Sequence, residues 1–175
     1  MPREPFHEDM ARIIESIIGM DKVIIGNHCG GNSILPLYYE FPKDNKRPYQ
    51  LCHPDLLVNP TDTITGIIEV EERDVNPSSL FGNFTAASAT KCYIPSSKDK
   101  PIYLDKSVMF VQILRAKQQE DKQLEIVKHY IRNIIPKLGS KITQYELFYG
   151  ETSDFESSGR LWSDFNKAIK AMDHE

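Results

Sequence analysis

The chain has 175 residues, of which 40% are hydrophobic and 26% charged, and its formal net charge is −4. That length suffices to bury one core, so a single domain over residues 1–175 is expected, and the composition is that of a globular chain rather than a disordered one. The acidic balance counts against unselective binding of nucleic acid through overall charge, though it leaves room for a local basic groove.

Two lysine-bearing stretches, "KDNKR" (43–47) and "KDK" (98–100), each contain an aspartate and read as solvated loops. No apolar run approaches the ~18 residues of a membrane span, and the opening "MPREPFHEDM" lacks the basic-then-apolar order of a secretory signal. Three cysteines without regular spacing fit a reduced chain. A cytoplasmic protein with no membrane association is the expectation.

In chain order, "MARIIESIIG" places Met10, Ile13, Ile14, Ile17 and Ile18 on one stripe of a helix that Gly19 can end. "KVIIGN" (22–27) reads as a buried strand and "GGN" (30–32) as a turn. "ILPLYYEF" (34–41) is expected to be the partner of that strand, with Pro36 marking a bulge or an edge. Strands follow at "DLLV" (55–58) and "TGIIEVEE" (65–72), separated by the turn-rich "NPTDT". Asn76 before Pro77 is a good cap and first helical residue, which predicts a helix over "PSSLFGNFTAASATK", with Ala86, Ala87 and Ala89 allowing close packing. "SVMFVQIL" (107–114) is the most hydrophobic strand. "QLEIVKHYIRNIIPKL" (123–138) has helical periodicity, "TQYELFYG" (143–150) closes the sheet, and Leu161, Phe165, Ile169 and Met172 mark a last helix over 158–172. A strand–helix–strand unit requires a parallel crossover, so the expected fold is α/β, a mixed central sheet flanked by helices.

The stretch "HPDLLVNPTDTITGIIEVEE" (53–72) puts acidic residues into apolar strands. Alternation sets Glu69 and Glu71 on one face, with Ile68 and Val70 on the other. If the strand that Asp55 opens pairs with the next, three carboxylates converge. Like charges that close repel, and a hard divalent cation such as Mg²⁺ resolves the conflict because it prefers oxygen ligands.

"HPDLLV" with "EVE" on the following strand, thirteen residues separating Asp55 from Glu69, resembles the PD-(D/E)XK nuclease superfamily, the restriction endonuclease-like fold. The likeness covers residues 6–150 but rests on about five of them. The resemblance implies a metal-dependent nuclease hydrolysing DNA, with Asp55 and Glu69 as ligands of Mg²⁺ or Mn²⁺ and DNA as partner. A homodimer is left open. Glu71 stands where the family usually carries lysine, and some members have glutamate there. It would act as a base or a further metal ligand. Lys91, ~20 Å along the next helix from Pro77, overshoots Glu69 and is not expected to replace the lysine. Glu15 matches an accessory acidic position of some members, beside its plainer reading as a solvated helix residue.

Other motifs are weaker. "HC" (28–29) and "CH" (52–53) have a zinc-like composition, but adjacent residues of an extended chain point apart. His53 is a possible phosphate contact or simply a loop residue. "GNHCGGN" lacks the lysine of a phosphate-binding loop, and nothing local activates Cys29 as a nucleophile. Ser79, Asn83 and Thr90 lie on one helical side that either touches a nucleic-acid backbone or faces solvent. Beside the nuclease stand two alternatives: a catalytically inactive nucleic-acid-binding or assembly module, and an unrelated small-molecule-binding α/β protein if Asp55 is not beside Glu69.

Overall fold

Helix α1 (Pro5–Ile18) buries Phe6, Met10, Ile14 and Ile18, spaced four apart. It stops at Gly19, whose φ of 100° suits only glycine and whose N–H donates to the Glu15 carbonyl at 2.8 Å. The computed structural model describes residues 5–41, 49–59, 62–72, 76–95, 100–115 and 122–173.

Eight strands form one sheet: β1 (Val23–Ile25), β2 (Leu37–Tyr38), β3 (Gln50–Cys52), β4 (Leu56–Val58), β5 (Thr63–Glu71), β6 (Cys92–Tyr93), β7 (Ile102–Arg115) and β8 (Ile142–Gly150). The long pairings, β5 with β7 and β7 with β8, are parallel, and the other five are antiparallel. The order runs β1-β4-β5-β7. Beyond β7, its first half holds β6, β2 and β3 while its second half holds β8.

Three further helices complete the layers: α2 (Pro77–Ser88), α3 (Lys122–Ile134) and α4 (Trp162–Lys170). Alternation divides the core. Leu56, Val58, Ile68, Val70, Val111 and Ile113 pack with α1 and α4, whereas Leu57, Ile67, Phe110 and Leu147 pack with α2 and α3. An α/β protein with a mixed sheet between helices is therefore observed. No helix among the described residues is long and apolar enough to cross a membrane.

Three expectations need correction. Residues 34–41 do not pair with the first strand: β1 pairs with β4, and β2 spans only two residues, after Pro36, which offers no N–H to a ladder. Strands β3 and β6 had no expected counterpart because three and two residues cannot display a period. The last helix begins at Trp162, with a 3-10 turn at Thr152–Phe155 ahead of it. The stretch 43–47 and residues 98 and 99 lie outside the described residues.

Candidate functional site

Strand β4 pairs with β5 so that Leu56 faces Ile68 and Leu57 faces Ile67. Continuing this register by one residue sets Asp55 across from Glu69, on the same side of the sheet. The Asp55 N–H donates to the Ile68 carbonyl at 3.1 Å, and the Val70 N–H donates to Asp55 Oδ2 at 2.9 Å. The side chain thus takes over as acceptor where the main-chain ladder ends, which locks its orientation. On the other side, the Gly26 N–H donates to the Asp55 carbonyl at 2.7 Å, and a β-carbon at Gly26 would lie 2.8 Å from that oxygen.

Asp55 and Glu69 are both buried, each 8% exposed. Glu71, two residues further along the same face, is half-buried and accepts a hydrogen bond from Asn83 Nδ2 of α2 at 3.0 Å. No donor among the described residues hydrogen-bonds the Glu69 carboxylate. Burial, followed by the nearby charges of Asp55 and Glu71, pushes the Glu69 carboxyl well above the usual carboxylate range. Burial also raises Asp55, the Val70 N–H and then the nearby His7 and His28 pull it back down, and Glu71 pushes it up. The three carboxylates are therefore electrostatic neighbours, as the strand alternation implied.

The rim comes from elements far apart in sequence. α1 brings His7, whose Nδ1 lies 3.7 Å from Glu72 Oε2, and Glu8, which approaches the 3-10 turn Asn27–Cys29. Burial and then Asp55, Glu69 and Glu8 push the Cys29 thiol up, and burial with Glu69 raises Cys52 to about 12. Both thiols stay protonated at neutral pH, which removes a thiolate nucleophile. Glu72, on the opposite face from Glu71, pairs with Arg115 at the end of β7, and Arg115 Nε also holds Glu151 at 3.0 Å. Behind the carboxylates, buried Gln112 sits beside Glu69 in the β5–β7 register and accepts from the Tyr145 hydroxyl at 2.7 Å.

Other sequence-level candidates lie elsewhere. Glu15 carries the carbonyl that closes the far end of α1 and is two helical turns from Glu8, the carboxylate of α1 that acts on Cys29. Lys91 Nζ sits over the Tyr39 ring, 4.5 Å from its centroid. Thr90 is buried and bonds the Ala87 carbonyl, which removes it from any nucleic-acid-facing row. His53 is exposed and bonded to Gln50, and burial with the charge of His28 lowers its pKa. His7, Glu8 and the bond from Asn83 to Glu71 had no sequence signal, since only chain folding brings them to residues 55–72.

Among the described residues, no three His, Cys, Asp or Glu side chains are grouped so as to hold a metal ion. Asn83 engages Glu71, which leaves Asp55 and Glu69 as the closest carboxylate pair by register. No protein-family model, curated protein or solved structure matches the chain.

Proposed function

We propose that the protein is a divalent-metal-dependent nuclease that hydrolyses DNA phosphodiester bonds on a restriction endonuclease-like sheet. The observation that carries this reading is the pair Asp55 and Glu69, buried and opposed on antiparallel strands, where β5 begins the parallel part of the sheet. The strand order β1-β4-β5-β7-β8, with helices on both faces, supports the resemblance seen in "HPDLLV" and "EVE".

The donor set fits Mg²⁺ or Mn²⁺, because both groups are hard oxygen donors. Two buried carboxylates that disfavour ionisation together, one of them without a described donor, are offset by a cation held between them. Asp55 and Glu69 would hold the metal, with Glu71 as further ligand or base. When bound, the ion supplies positive charge against the phosphate oxygens and favours deprotonation of water. Asp55, fixed by the Val70 N–H, would present its carboxylate to the metal in one orientation. Glu71, held by Asn83, orients the attacking water and takes its proton. The water oxygen bonds to phosphorus as the bond to the leaving sugar oxygen breaks, and that oxygen gains a proton from solvent.

A second reading, a catalytically inactive binding or assembly module, is favoured by one observation: the usual lysine position holds Glu71, and Lys91 is engaged with Tyr39.

A plasmid relaxation gel in Mg²⁺ and Mn²⁺ separates the two. If Glu71 is ligand or base, wild type nicks the plasmid, and Glu71→Gln and Glu71→Lys cut more slowly by roughly 100-fold or more, on the scale of a lost general base. Glu69→Ala should not cut. Nicking by Glu71→Lys alone would favour the inactive module, and equal cutting by all four proteins would place the chemistry elsewhere.

A further inference from the structure

Side chains in register across parallel strands share a face, so Glu71, Leu114 of β7 and Tyr149 of β8 form one row. Two strand spacings separate Glu71 from Tyr149, about 10 Å between backbones. Beside Tyr149 opens a cleft of about 500 Å³ lined by Lys122, Glu125, Ile126 and Tyr149. Its size matches the range for small-ligand sites, roughly 300–1,000 Å³.

The walls of the cleft combine three chemistries. Ile126 is 67% exposed, on a helix whose buried stripe is Leu124, Val127 and Ile131. Lys122, Ile126 and Tyr130 recur every four residues on one outward stripe of α3, of which Lys122 and Ile126 line the cleft, while the cleft's phenol ring is that of Tyr149. Tyr130 in turn meets Phe81 of α2 edge-to-face, with centroids 5.2 Å apart. Glu125 Oε1 accepts from the Tyr149 hydroxyl at 3.5 Å. An apolar wall with an aromatic ring, a cation and one carboxylate acceptor matches a nucleotide: the ring stacks on the base, Lys122 meets a phosphate, and Glu125 accepts from an exocyclic amine.

We propose that this cleft is a nucleobase subsite of the nuclease, and that the substrate is therefore a strand with unpaired nucleotides next to the scissile phosphate. The inference rests on the nuclease reading and adds the substrate class. Bases inside a duplex are stacked on their neighbours and cannot offer a face to Tyr149, so an intact double helix would leave the cleft unfilled.

The test is fluorescence anisotropy of the full chain with a fluorescein-labelled single-stranded DNA oligonucleotide and with its duplex, in Ca²⁺ buffer. Tyr149→Ala should weaken single-strand binding roughly 10-fold to 100-fold, as loss of one stacking platform does, and Tyr149→Phe should retain it. Duplex binding should change less than about twofold, because no base face is lost. Lys122→Ala, at an exposed position that folding tolerates, should weaken single-strand binding and lower its salt slope by about one. Wild-type single-strand affinity in both Tyr149→Ala and Lys122→Ala, or equal loss on both DNA forms, overturns the subsite. The two readings fail separately: Tyr149-dependent single-strand binding without cleavage in Mg²⁺ or Mn²⁺ supports the subsite and overturns the nuclease, whereas cleavage of duplex with no Tyr149 effect on either form overturns only the subsite.

Discussion

At Glu69, burial and two neighbouring carboxylates act together against ionisation, while the unfolded chain leaves the same group in water. Its folded pKa is therefore raised above the unfolded value of about 4.3, and the folded state holds more protons in the window just above that value. Stability should be greatest at low pH within this window and fall as pH rises through the folded pKa. Glu69→Gln removes the ionisation while keeping the side chain's shape. Its melting temperature should exceed wild type by several degrees at pH 7.5, on a scale of about 1.4 kcal/mol per pKa unit, and the gain should vanish near pH 4. Thermal melts of both proteins across pH would check this. A gain that is constant with pH would mean that charge at Glu69 is not the cost. This much was legible from alternation, since Glu69 and Glu71 must share a face once the strand forms. The compensating contacts to Asp55 were not: the Val70 N–H depends on how β4 enters the sheet, and His7 lies 48 residues earlier in the chain.

Among the elements, β8 is the longest edge strand: only β7 pairs with it among the described residues, and β1 and β3, which also have a single partner, span three residues each. A free edge is a template for association with another chain. Here α3 blunts it: Arg132 Nε donates to the Tyr145 carbonyl at 3.1 Å, and Lys128 Nζ reaches the Leu147 carbonyl at 3.4 Å. Both cations also pair with Glu146, which holds them over the edge. The double variant Lys128→Ala and Arg132→Ala exposes two carbonyls while costing only about 1 kcal/mol of stability, as half-exposed pairs do. Light scattering behind size exclusion should then show concentration-dependent self-association beyond that of wild type. An unchanged mass across a tenfold concentration range would show that the cations do not guard this edge.

For the whole molecule, any ligand that binds only the folded chain adds stability by mass action. If Asp55 and Glu69 hold Mn²⁺, a concentration 100 times its dissociation constant adds about 2.7 kcal/mol, or roughly 5–10 °C in a chain this long. Asp55→Asn should abolish this shift and relieve part of the repulsion on Glu69, and because an asparagine carbonyl can still accept from the Val70 N–H, the metal-free variant melts no lower than metal-free wild type. A differential scanning series with and without Mn²⁺ gives both values. Wild type that melts identically with and without the ion would remove the metal from the site.

Local rules sufficed wherever a segment was long enough to show its period. Helix α1, strands β5 and β7 and helix α3 follow from apolar spacing, and α2 from Asn76 capping Pro77, because burial of one face dictates those patterns whatever the partner. Asp55 and Glu69 were legible for the same reason, as polar exceptions inside such patterns. Tertiary structure alone decided the rest. The choice of β4 over residues 34–41 as the neighbour of β1 depends on competition among strands, which two-residue β2 loses. Glu8 rather than Glu15 lies near Cys29 because the direction of α1 across the sheet is set by packing of Phe6 and Met10. Asn83 reaches Glu71, and Tyr149 joins its row, only because parallel crossovers bring β5, β7 and β8 side by side. Such contacts between distant segments leave no mark on local composition, since each residue there satisfies its own element's pattern equally well in other partners' company.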